Sequence, residues 1–390
     1  MAKKTNCTKN GYGYYRIVRK INGKRQEFLG SCKKDAEEKY EAAKAQAALG
    51  LRADYKKMTL GELMRIWVYD VIVPSKRADG TKAKHEGAYR VHIKESDISK
   101  VKINDITGLD IQRFYSSKID SGKSANTVKE INKTLKMFFG YAVEQKFVAS
   151  NPCKGIELPE DNKEWSEDEQ ENIIPFSDED LKDIWTAVRE HKEAYGHDME
   201  FTVQLALGTG LREGEQFALT EKDFDLDEGV IKITKALKKS RIIKRDGSHE
   251  YKLMLGPPKT KSSRREVPIP DSLVVPLQRY IVQQKRKYMR NGLKYTSKSP
   301  LFTTESCNYI DPRNLIRSWG RILGRTDVEY RCWHYLRHTY ATKLFEAGVD
   351  IKTVSGLLGH SSIKETESVY VHLLPKKKIN EVNKLNYLFK

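Results

Sequence analysis

The chain has 390 residues and a net charge of +18, from 71 Lys and Arg against 53 Asp and Glu. This length favours two or three domains, and a hydrophobic fraction of 38% is enough for each to have a core. No apolar run approaches the roughly 18 residues that span a bilayer, the N-terminus lacks the apolar segment of a secretory signal, and the five cysteines form no CxxC pair. We therefore set aside integral-membrane, secreted and zinc-finger proteins and expect a reduced, cytoplasmic protein whose first candidate partner is nucleic acid.

The first 50 residues predict a small module of strands followed by a helix. Aromatic, basic and aliphatic residues alternate over 12–20, Asn22-Gly23 is typical of a tight type I′ hairpin turn, and residues 24–29 supply the returning strand. Residues 34–49 are rich in Ala, Glu and Lys, which predicts a helix. With 12 Lys and Arg against 5 Asp and Glu in residues 1–50, contact with nucleic acid is favoured over a generic surface hairpin.

Residues 58–158 predict an all-helical domain. Thr59 to Glu62 and Thr107 to Asp110 are signatures of helix starts, and apolar residues follow at helical spacing. Residues 126–148 contain a long helix with one apolar face. The acidic, proline-bounded segment that follows, PEDNKEWSEDEQENIIP, has the composition of a linker.

A strand-rich, basic segment lies between two further helical blocks. A helix is expected to begin after Ser177, residues 229–269 show strand patterns with 12 Lys and Arg against 3 Asp and Glu, and the chain is helical again from Pro312. The charge favours a sheet that faces DNA, although a solvated basic hairpin is common.

Four short motifs place polar residues at expected element boundaries. An apolar helix over 201–207 runs into a glycine-rich turn that presents Arg212. His334 and Arg337 are three residues apart and therefore share a helix face. A helix stop at Leu358-Gly359 brings out His360, and Tyr370 follows ten residues later.

In combination these motifs resemble the tyrosine recombinase (integrase) family. They occur in order along the chain: TGLRxxE, KTK leading into EVPIP, HxxRH, LLGH and a final tyrosine. The resemblance covers essentially the whole chain, and the layout is similar to the three-domain integrases of temperate phages and of conjugative transposons, between which the sequence does not choose.

The resemblance implies an α+β multidomain fold. Its expected parts are a small N-terminal sheet-plus-helix arm-binding domain (1–55), an all-helical core-binding domain (58–158), a linker (159–174) and a mixed, mainly helical catalytic domain with a small antiparallel sheet (175–390), which ends in a C-terminal tail (373–390).

The same resemblance implies roles for individual residues. Tyr370 would be the nucleophile that attacks a DNA phosphodiester, forms a 3′-phosphotyrosine and releases a 5′-hydroxyl. Arg212 and Arg337 would bind the non-bridging oxygens. His334 would assist proton transfer, and His360 would hydrogen-bond a phosphate oxygen.

A lysine of the strand hairpin would protonate the leaving 5′-oxygen. Lys259 and Lys261 are both candidates, and the Lys-Thr pair before the strand favours Lys259. Glu215 matches the acidic residue that the family has after its first arginine, and we expect it to orient helices or Arg212 rather than to do chemistry.

The expected partners follow from this reaction. They are double-stranded DNA with core and arm sites, a homotetramer assembled on DNA, and as a further candidate an accessory DNA-bending or directionality protein, in a bacterial cell at the nucleoid. We expect no membrane partner and no metal or other cofactor. The arginines replace metal ions, and the covalent intermediate conserves the bond energy, so that no ATP is needed. The sequence accordingly has no GxxxxGK[ST] motif.

Two other functions stay open at this point. A type IB topoisomerase uses similar residues, although the N-terminal module and the tail argue against it. A DNA-binding regulator without catalysis is the other, and the complete set of Arg, Lys, His, Arg, His and Tyr argues against that.

The tail carries an apolar stripe at helical spacing, formed by Ile379, Val382, Leu385 and Phe389. A helix this short needs a docking surface. The resemblance favours a neighbouring protomer, and folding back on the same chain remains open.

Overall fold

The computed structural model describes residues 5–9, 12–21, 24–48, 55, 57–159, 174–195, 198–258 and 260–370. By its internal contacts the chain forms two compact units, residues 1–164 with 241–250 and residues 165–240 with 251–390. The fold is mixed α+β, as the sequence predicts, with many helices and small antiparallel sheets. Most of the expected linker, residues 160–173, and the tail, residues 371–390, lie outside the described residues.

The N-terminal module consists of an antiparallel sheet and one helix. Its elements are β1 (Thr5–Lys9), β2 (Tyr12–Ile21), β3 (Lys24–Gly30) and α1 (Lys33–Ala48). The strand order is β1-β2-β3, and α1 packs on β2 and β3. Ile17 and Ile21 lie on one face of β2 and are buried, as is Ala36 of α1, because side chains of a strand alternate between its faces. The expected Asn22-Gly23 turn lies outside the described residues.

Residues 57–159 are helical, as predicted. The elements are α2 (Leu60–Ile66), α3 (Asp79–Gly87), α4 (Asp97–Lys100), α5 (Gly108–Asp120) and α6 (Ala125–Glu144), with π-helical continuations of α2 (Trp67–Ile72) and of α3 (Ala88–Ile93). The apolar face of α6 is buried in the core of this region, where Phe138 packs edge-on against Trp67. The 3.6-residue period of the sequence thus identifies the face that is buried.

Both helix starts that the sequence marks have side-chain caps. The backbone N–H of Thr59 donates to Glu62 Oε2 (2.8 Å), and the N–H of Glu62 donates to Thr59 Oγ1 (3.3 Å). Thr107 and Asp110 form the same reciprocal pair at α5. Each cap satisfies backbone donors that the first turn of a helix leaves without a partner.

The second unit alternates helices and short strands. Its helices are α7 (Asp178–Tyr195), α8 (Glu200–Thr209), α9 (Glu213–Gln216), α10 (Asp271–Arg290), α11 (Pro312–Leu323), α12 (His334–Glu346), α13 (Ile351–Leu358) and α14 (Ile363–Tyr370). The strands of this part of the chain are β4 (Phe224–Asp225), β5 (Val230–Ile233), β6 (Ala236–Ile243), β7 (His249–Gly256) and β8 (Arg265–Pro268), and residues 241–250 of the β6–β7 hairpin belong to the first unit.

These strands divide between two sheets, where the sequence analysis expected one. One sheet has the order β4-β5-β8, and β6 pairs with β7 in the other. Ile231 of β5 lies opposite Val267 of β8, and both are fully buried. The residues of β7 are exposed or half-buried. In β6 only the two ends, with Ala236, Leu237 and Ile243, are buried. The basic β6–β7 hairpin leaves the β4-β5-β8 sheet as an insertion.

The core of the second unit is rich in aromatic side chains. Trp319 packs edge-on against Phe176 and against Trp333, and Phe302 packs against Phe217. These side chains come from widely separated segments and hold the helices around the β4-β5-β8 sheet. Trp333, the residue that precedes α12, is anchored in this core, which fixes the start of that helix.

We expect Thr59→Ala to lower the free energy of opening of α2 by about 1 kcal/mol, because the amide of Glu62 loses its acceptor. Hydrogen–deuterium exchange of the full chain should show about fivefold faster exchange in the first turn of α2. Thr81→Ala, an exposed threonine within α3, is the matched control and should leave exchange of α2 unchanged. Equal protection of α2 in both variants would contradict the role of the cap.

Candidate active site

The turn that presents Arg212 is built as the sequence predicts. Helix α8 ends at Gly210, which has φ of 59°, a left-handed conformation that favours glycine. A Cβ on Gly210 would lie 2.3 Å from the ring of Tyr340, so the packing also requires glycine. Two residues later Arg212 is the N-cap of α9. The turn therefore places the side chain of Arg212 at the junction of two helices.

The guanidinium of Arg212 is held from one side. Its Nη1 donates to Glu215 Oε1 (3.0 Å), and its Nη2 donates to the carbonyl oxygen of Gly359 (3.2 Å). One third of the side chain (33%) remains exposed. The guanidinium is thus oriented by the protein and still open to an anion from solvent.

Arg337 lies in the first turn of α12 and is almost completely buried, with 3% of its surface exposed. Its Nη1 donates to the carbonyl oxygen of Gly210 (2.8 Å), and its Nη2 donates to that of Leu358 (2.6 Å). Arg337 therefore connects the end of α8 to the end of α13, the same two turns that flank Arg212.

Two histidines lie beside these arginines on α12. The rings of His334 and His338 have centroids 4.8 Å apart and are nearly perpendicular. His334 is partly exposed to solvent. Desolvation, followed by the positive charges of Arg337 and Arg212, lowers its pKa to about 4. Burial, with the neighbouring His334 and Arg337, lowers the pKa of His338 to about 3. Both rings are therefore neutral at pH 7.

His360 follows directly on the end of α13. Gly359 ends that helix with φ of 67°, as the sequence predicts, and His360 comes next. The ring Nδ1 of His360 lies 2.7 Å from Oγ1 of Thr366, which is fully buried in α14. This hydrogen bond fixes the orientation of the imidazole.

The lysine and tyrosine candidates are only partly covered by the structure. Lys259 lies outside the described residues. Lys261 begins a one-turn 3₁₀-helix, Lys261–Ser263, and Tyr370 is the last residue of α14, which packs on α13. The side chains of Lys261 and Tyr370 lie outside what is described. The choice between the two lysines therefore stays open.

Glu215 has the contact that the sequence analysis expected, and it has a second one. Its Oε2 accepts a hydrogen bond from Nη2 of Arg265 (3.0 Å), while Oε1 faces Arg212. Burial raises the pKa of the Glu215 carboxyl, but the hydrogen bond and charge of Arg265, together with Arg212, bring it below its usual value. Glu215 is therefore an anion shared by two arginines.

Sequence reasoning missed Arg265. It is the first residue of β8, two positions before the fully buried Val267. Because side chains alternate along a strand, Arg265 shares the inward face with Val267. An arginine at an inward position of a strand was the signal that could have identified it.

A cavity of about 470 Å³ lies beside Arg212. The hydroxyls of Thr260 and Ser263, which are 2.9 Å apart, and the edge of Arg212 line one part of it. Guanidinium and hydroxyl donors around an open volume suit a phosphate oxygen. Among the described residues, no group of three or more His, Cys, Asp and Glu could hold a metal ion. Within the same part of the chain, no helix has both the length and the apolarity to cross a membrane.

The pKa of His338 predicts how stability of the second unit depends on pH. The unfolded chain binds a proton at this histidine near pH 6.5 and the folded chain does not, so stability is lost as pH falls from 7 to 5. In wild type this histidine should lower the free energy of unfolding by about 1 to 2 kcal/mol between pH 7 and pH 5, and His338→Gln should abolish that contribution. Denaturant unfolding at both pH values measures it. A wild-type pH dependence in His338→Gln would contradict the assignment.

Comparison with known proteins gives one family. Residues 167–377 match the phage integrase family. A XerC-like tyrosine recombinase of Caldanaerobacter subterraneus subsp. tengcongensis is 43% identical over 400 residues, and the alignment covers 100% of both chains.

Two solved structures have a similar fold. The integrase of the Tn1549 transposon, in complex with transposon right end DNA, superimposes with a TM-score of 0.66 at 21% identity and covers 84% of this chain and 100% of that one. A lambda integrase tetramer bound to a Holliday junction superimposes with a TM-score of 0.55 at 17% identity and covers 92% and 96%. Of the functions that the sequence left open, these comparisons select the recombinase. The chain belongs to the phage integrase family and is a tyrosine recombinase, an enzyme that breaks and rejoins DNA.

Proposed function

We propose that this recombinase cuts and rejoins duplex DNA through a 3′-phosphotyrosine intermediate and thereby integrates and excises a mobile element. One observation carries the proposal. Arg212 and Arg337, which are 125 residues apart in the chain, both donate to the turn at Leu358–Gly359, and Arg337 also donates to Gly210, two residues before Arg212. His334 lies one turn before Arg337 on α12, His360 directly follows the turn that ends α13, and Tyr370 ends the next helix.

The two arginines would supply the positive charge for the reaction. Nucleophilic attack on a phosphodiester places growing negative charge on the non-bridging oxygens. The exposed edge of Arg212 would bind these oxygens directly. Arg337 would add its charge from the buried side, since its guanidinium is fixed by two backbone carbonyls.

The reaction needs two proton transfers, one from the attacking tyrosine and one to the leaving 5′-oxygen. The hydroxyl of Tyr370 has an ordinary pKa of about 10 and must lose its proton as its oxygen bonds to phosphorus. His334 is neutral and would accept this proton, directly or through water. The 5′-oxygen leaves with the electron pair of the P–O bond and takes a proton from Lys259 or Lys261. His360, oriented by Thr366, would hydrogen-bond a phosphate oxygen.

The remaining parts of the chain have proposed roles in binding DNA and in assembly. The module of residues 1–55 would bind arm sites, residues 58–158 and 175–390 would bind the core site, and residues 159–174 would link them. Four protomers would assemble on the DNA, with an accessory DNA-bending or directionality protein as a further partner. The net charge of +18 and the fold shared with a transposon integrase and a tetrameric lambda integrase support this.

The tail would complete the assembly. Residues 373–390 would dock their apolar stripe on a neighbouring protomer, and docking on the same chain is the alternative. An apolar stripe on so short a helix needs a protein surface to be stable, which is the support for docking.

Tyr370→Phe should abolish covalent protein–DNA adducts on a nicked suicide substrate, because the only atom lost is the attacking oxygen. DNA affinity in a gel-shift titration should stay within about twofold of wild type, because phosphate contacts dominate binding. Tyr330→Phe, an exposed tyrosine of the same unit, is the matched control and should form adducts at the wild-type rate. Adducts formed by Tyr370→Phe, or none formed by wild type, would overturn the proposed chemistry.

A substrate with sulfur at the 5′-bridging position separates the two lysines. The thiolate leaves without a proton, so a general acid becomes dispensable. We expect Lys259→Ala to be strongly impaired on ordinary DNA and largely rescued on the sulfur substrate, with Lys261→Ala as the matched comparison. Rescue of Lys261→Ala alone would assign the general acid to Lys261.

A further inference from the structure

Three consecutive backbone carbonyls at the end of α13 each accept a hydrogen bond from a different arginine. Leu357 O accepts from Nε of Arg265 (2.6 Å), Leu358 O from Arg337, and Gly359 O from Arg212. Two of these arginines belong to the proposed phosphate-binding pair. The third, Arg265, has no role in the proposed chemistry, although it is held as firmly as the others.

Arg265 is too enclosed to bind DNA itself. Only 7% of its side chain is exposed, and its nitrogens contact protein in three directions. Nη2 donates to Glu215 Oε2 (3.0 Å), Nε to Leu357 O, and Nη1 to the carbonyl oxygen of Ser263 (3.2 Å). A role in the reaction must therefore pass through the groups that it contacts.

Those groups also hold Arg212. The carboxylate of Glu215 is shared: Oε1 accepts from the guanidinium of Arg212, and Oε2 accepts from the guanidinium of Arg265 and from the backbone N–H of Arg212 (3.1 Å). The hydroxyl of Ser263 lies 3.5 Å from Nη1 of Arg212, while its carbonyl accepts from Arg265. In the turn that ends α13, Arg265 binds Leu357 and Arg212 binds Gly359. Arg212 and Arg265 thus share two contact residues, Glu215 and Ser263, and bind different carbonyls of the same turn.

The shared carboxylate determines how much charge Arg212 can offer. Glu215 is 3% exposed in its side chain, so its negative charge is not screened by water and has to be balanced by protein. With Arg265 present, two guanidinium groups balance one carboxylate. Without it, Arg212 alone would neutralise Glu215 and would be drawn toward it, away from an incoming phosphate.

We propose that Arg265 is a positioning residue for DNA cleavage: it balances Glu215 and holds the end of α13, so that Arg212 keeps its orientation and its charge for the scissile phosphate. This inference rests on the proposed role of Arg212. It assigns a function to a residue that none of the sequence motifs includes.

The test compares Arg265→Met and Arg265→Lys with wild type. The measurement is the rate constant of adduct formation on a suicide substrate at saturating protein. We expect Arg265→Met to cleave about tenfold to a hundredfold more slowly with nearly unchanged DNA affinity, because a small misplacement of a catalytic group has an effect of this order. Arg265→Lys keeps the charge but cannot contact Glu215 and Leu357 together in the arginine geometry, so it should be intermediate.

Arg331→Met is the matched control for lost stability. Arg331 is a largely buried arginine of the same unit that donates to Asp180 and to the carbonyl of Pro175, outside the candidate site. The Arg331→Met variant should have a lowered unfolding temperature, as Arg265→Met does, but an unchanged rate constant of cleavage. If Arg265→Met does not fold, the folded Arg265→Lys variant is used instead. Several-fold slower cleavage by Arg265→Lys supports the proposal, and cleavage at the wild-type rate overturns it.

A second substrate distinguishes positioning from general structural damage. A methyl group in place of one non-bridging oxygen removes the negative charge of the scissile phosphate. Loss of an arginine charge from the protein should then slow cleavage less. We expect the defects of Arg265→Met and of Arg212→Met both to shrink on this methylphosphonate DNA. An Arg265→Met defect of equal size on both substrates, while that of Arg212→Met shrinks, overturns the inference and leaves the proposed function intact. Wild-type protein that forms no adduct overturns both.

Discussion

The last turn of α13 is the constraint on which the candidate site depends. The final carbonyls of a helix have no partner within it, and they carry partial negative charge. Here three of them in succession accept from arginines that come from β8, α12 and the start of α9. Gly359, in the left-handed conformation, turns the chain so that the last of these carbonyls faces Arg212. One short turn therefore aligns residues that are more than a hundred positions apart.

The charge balance of this cluster suits an anionic ligand. Arg212 and Arg265 bind a single buried carboxylate, Glu215, Arg337 binds backbone carbonyls beside them, and the neighbouring histidines are neutral at pH 7. The cluster has an excess of positive charge at the point where Arg212 is open to solvent. Buried charges that lack balance are costly, so such an excess is stable only beside solvent or beside a bound anion. A DNA phosphate is the anion that we propose for this position.

Site-specific recombination, the activity of this family, requires that cleavage and rejoining occur on correctly bound DNA. The helix ends provide a physical means for it. His360 and Tyr370 follow the same turn that holds Arg212 and Arg337, and Thr366 ties His360 to α14. A displacement of α14 would therefore reach the arginines through covalent and hydrogen-bonded neighbours rather than across open space.

The structural features that the sequence predicts are those that depend on residues close together in the chain. The capping pairs at Thr59 and Thr107, the buried face of α6, and the turns at Gly210 and Gly359 are set by residues within a few positions of each other. The ordered motifs gave the family, because their residue types and sequence spacing are visible without a structure.

Tertiary structure alone decided which strands pair and which side chains meet. The strands of residues 229–269 form two sheets because β5 pairs with β8 across an inserted hairpin, a pairing that local pattern does not encode. Arg265 meets Glu215 and Leu357 across 50 and 92 residues of sequence. Such contacts arise only when separate elements pack around a common core. The sequence by itself therefore determined the helices, their caps and the motif residues, and the packing of α13 against β8 and α12 decided how those residues combine into one site.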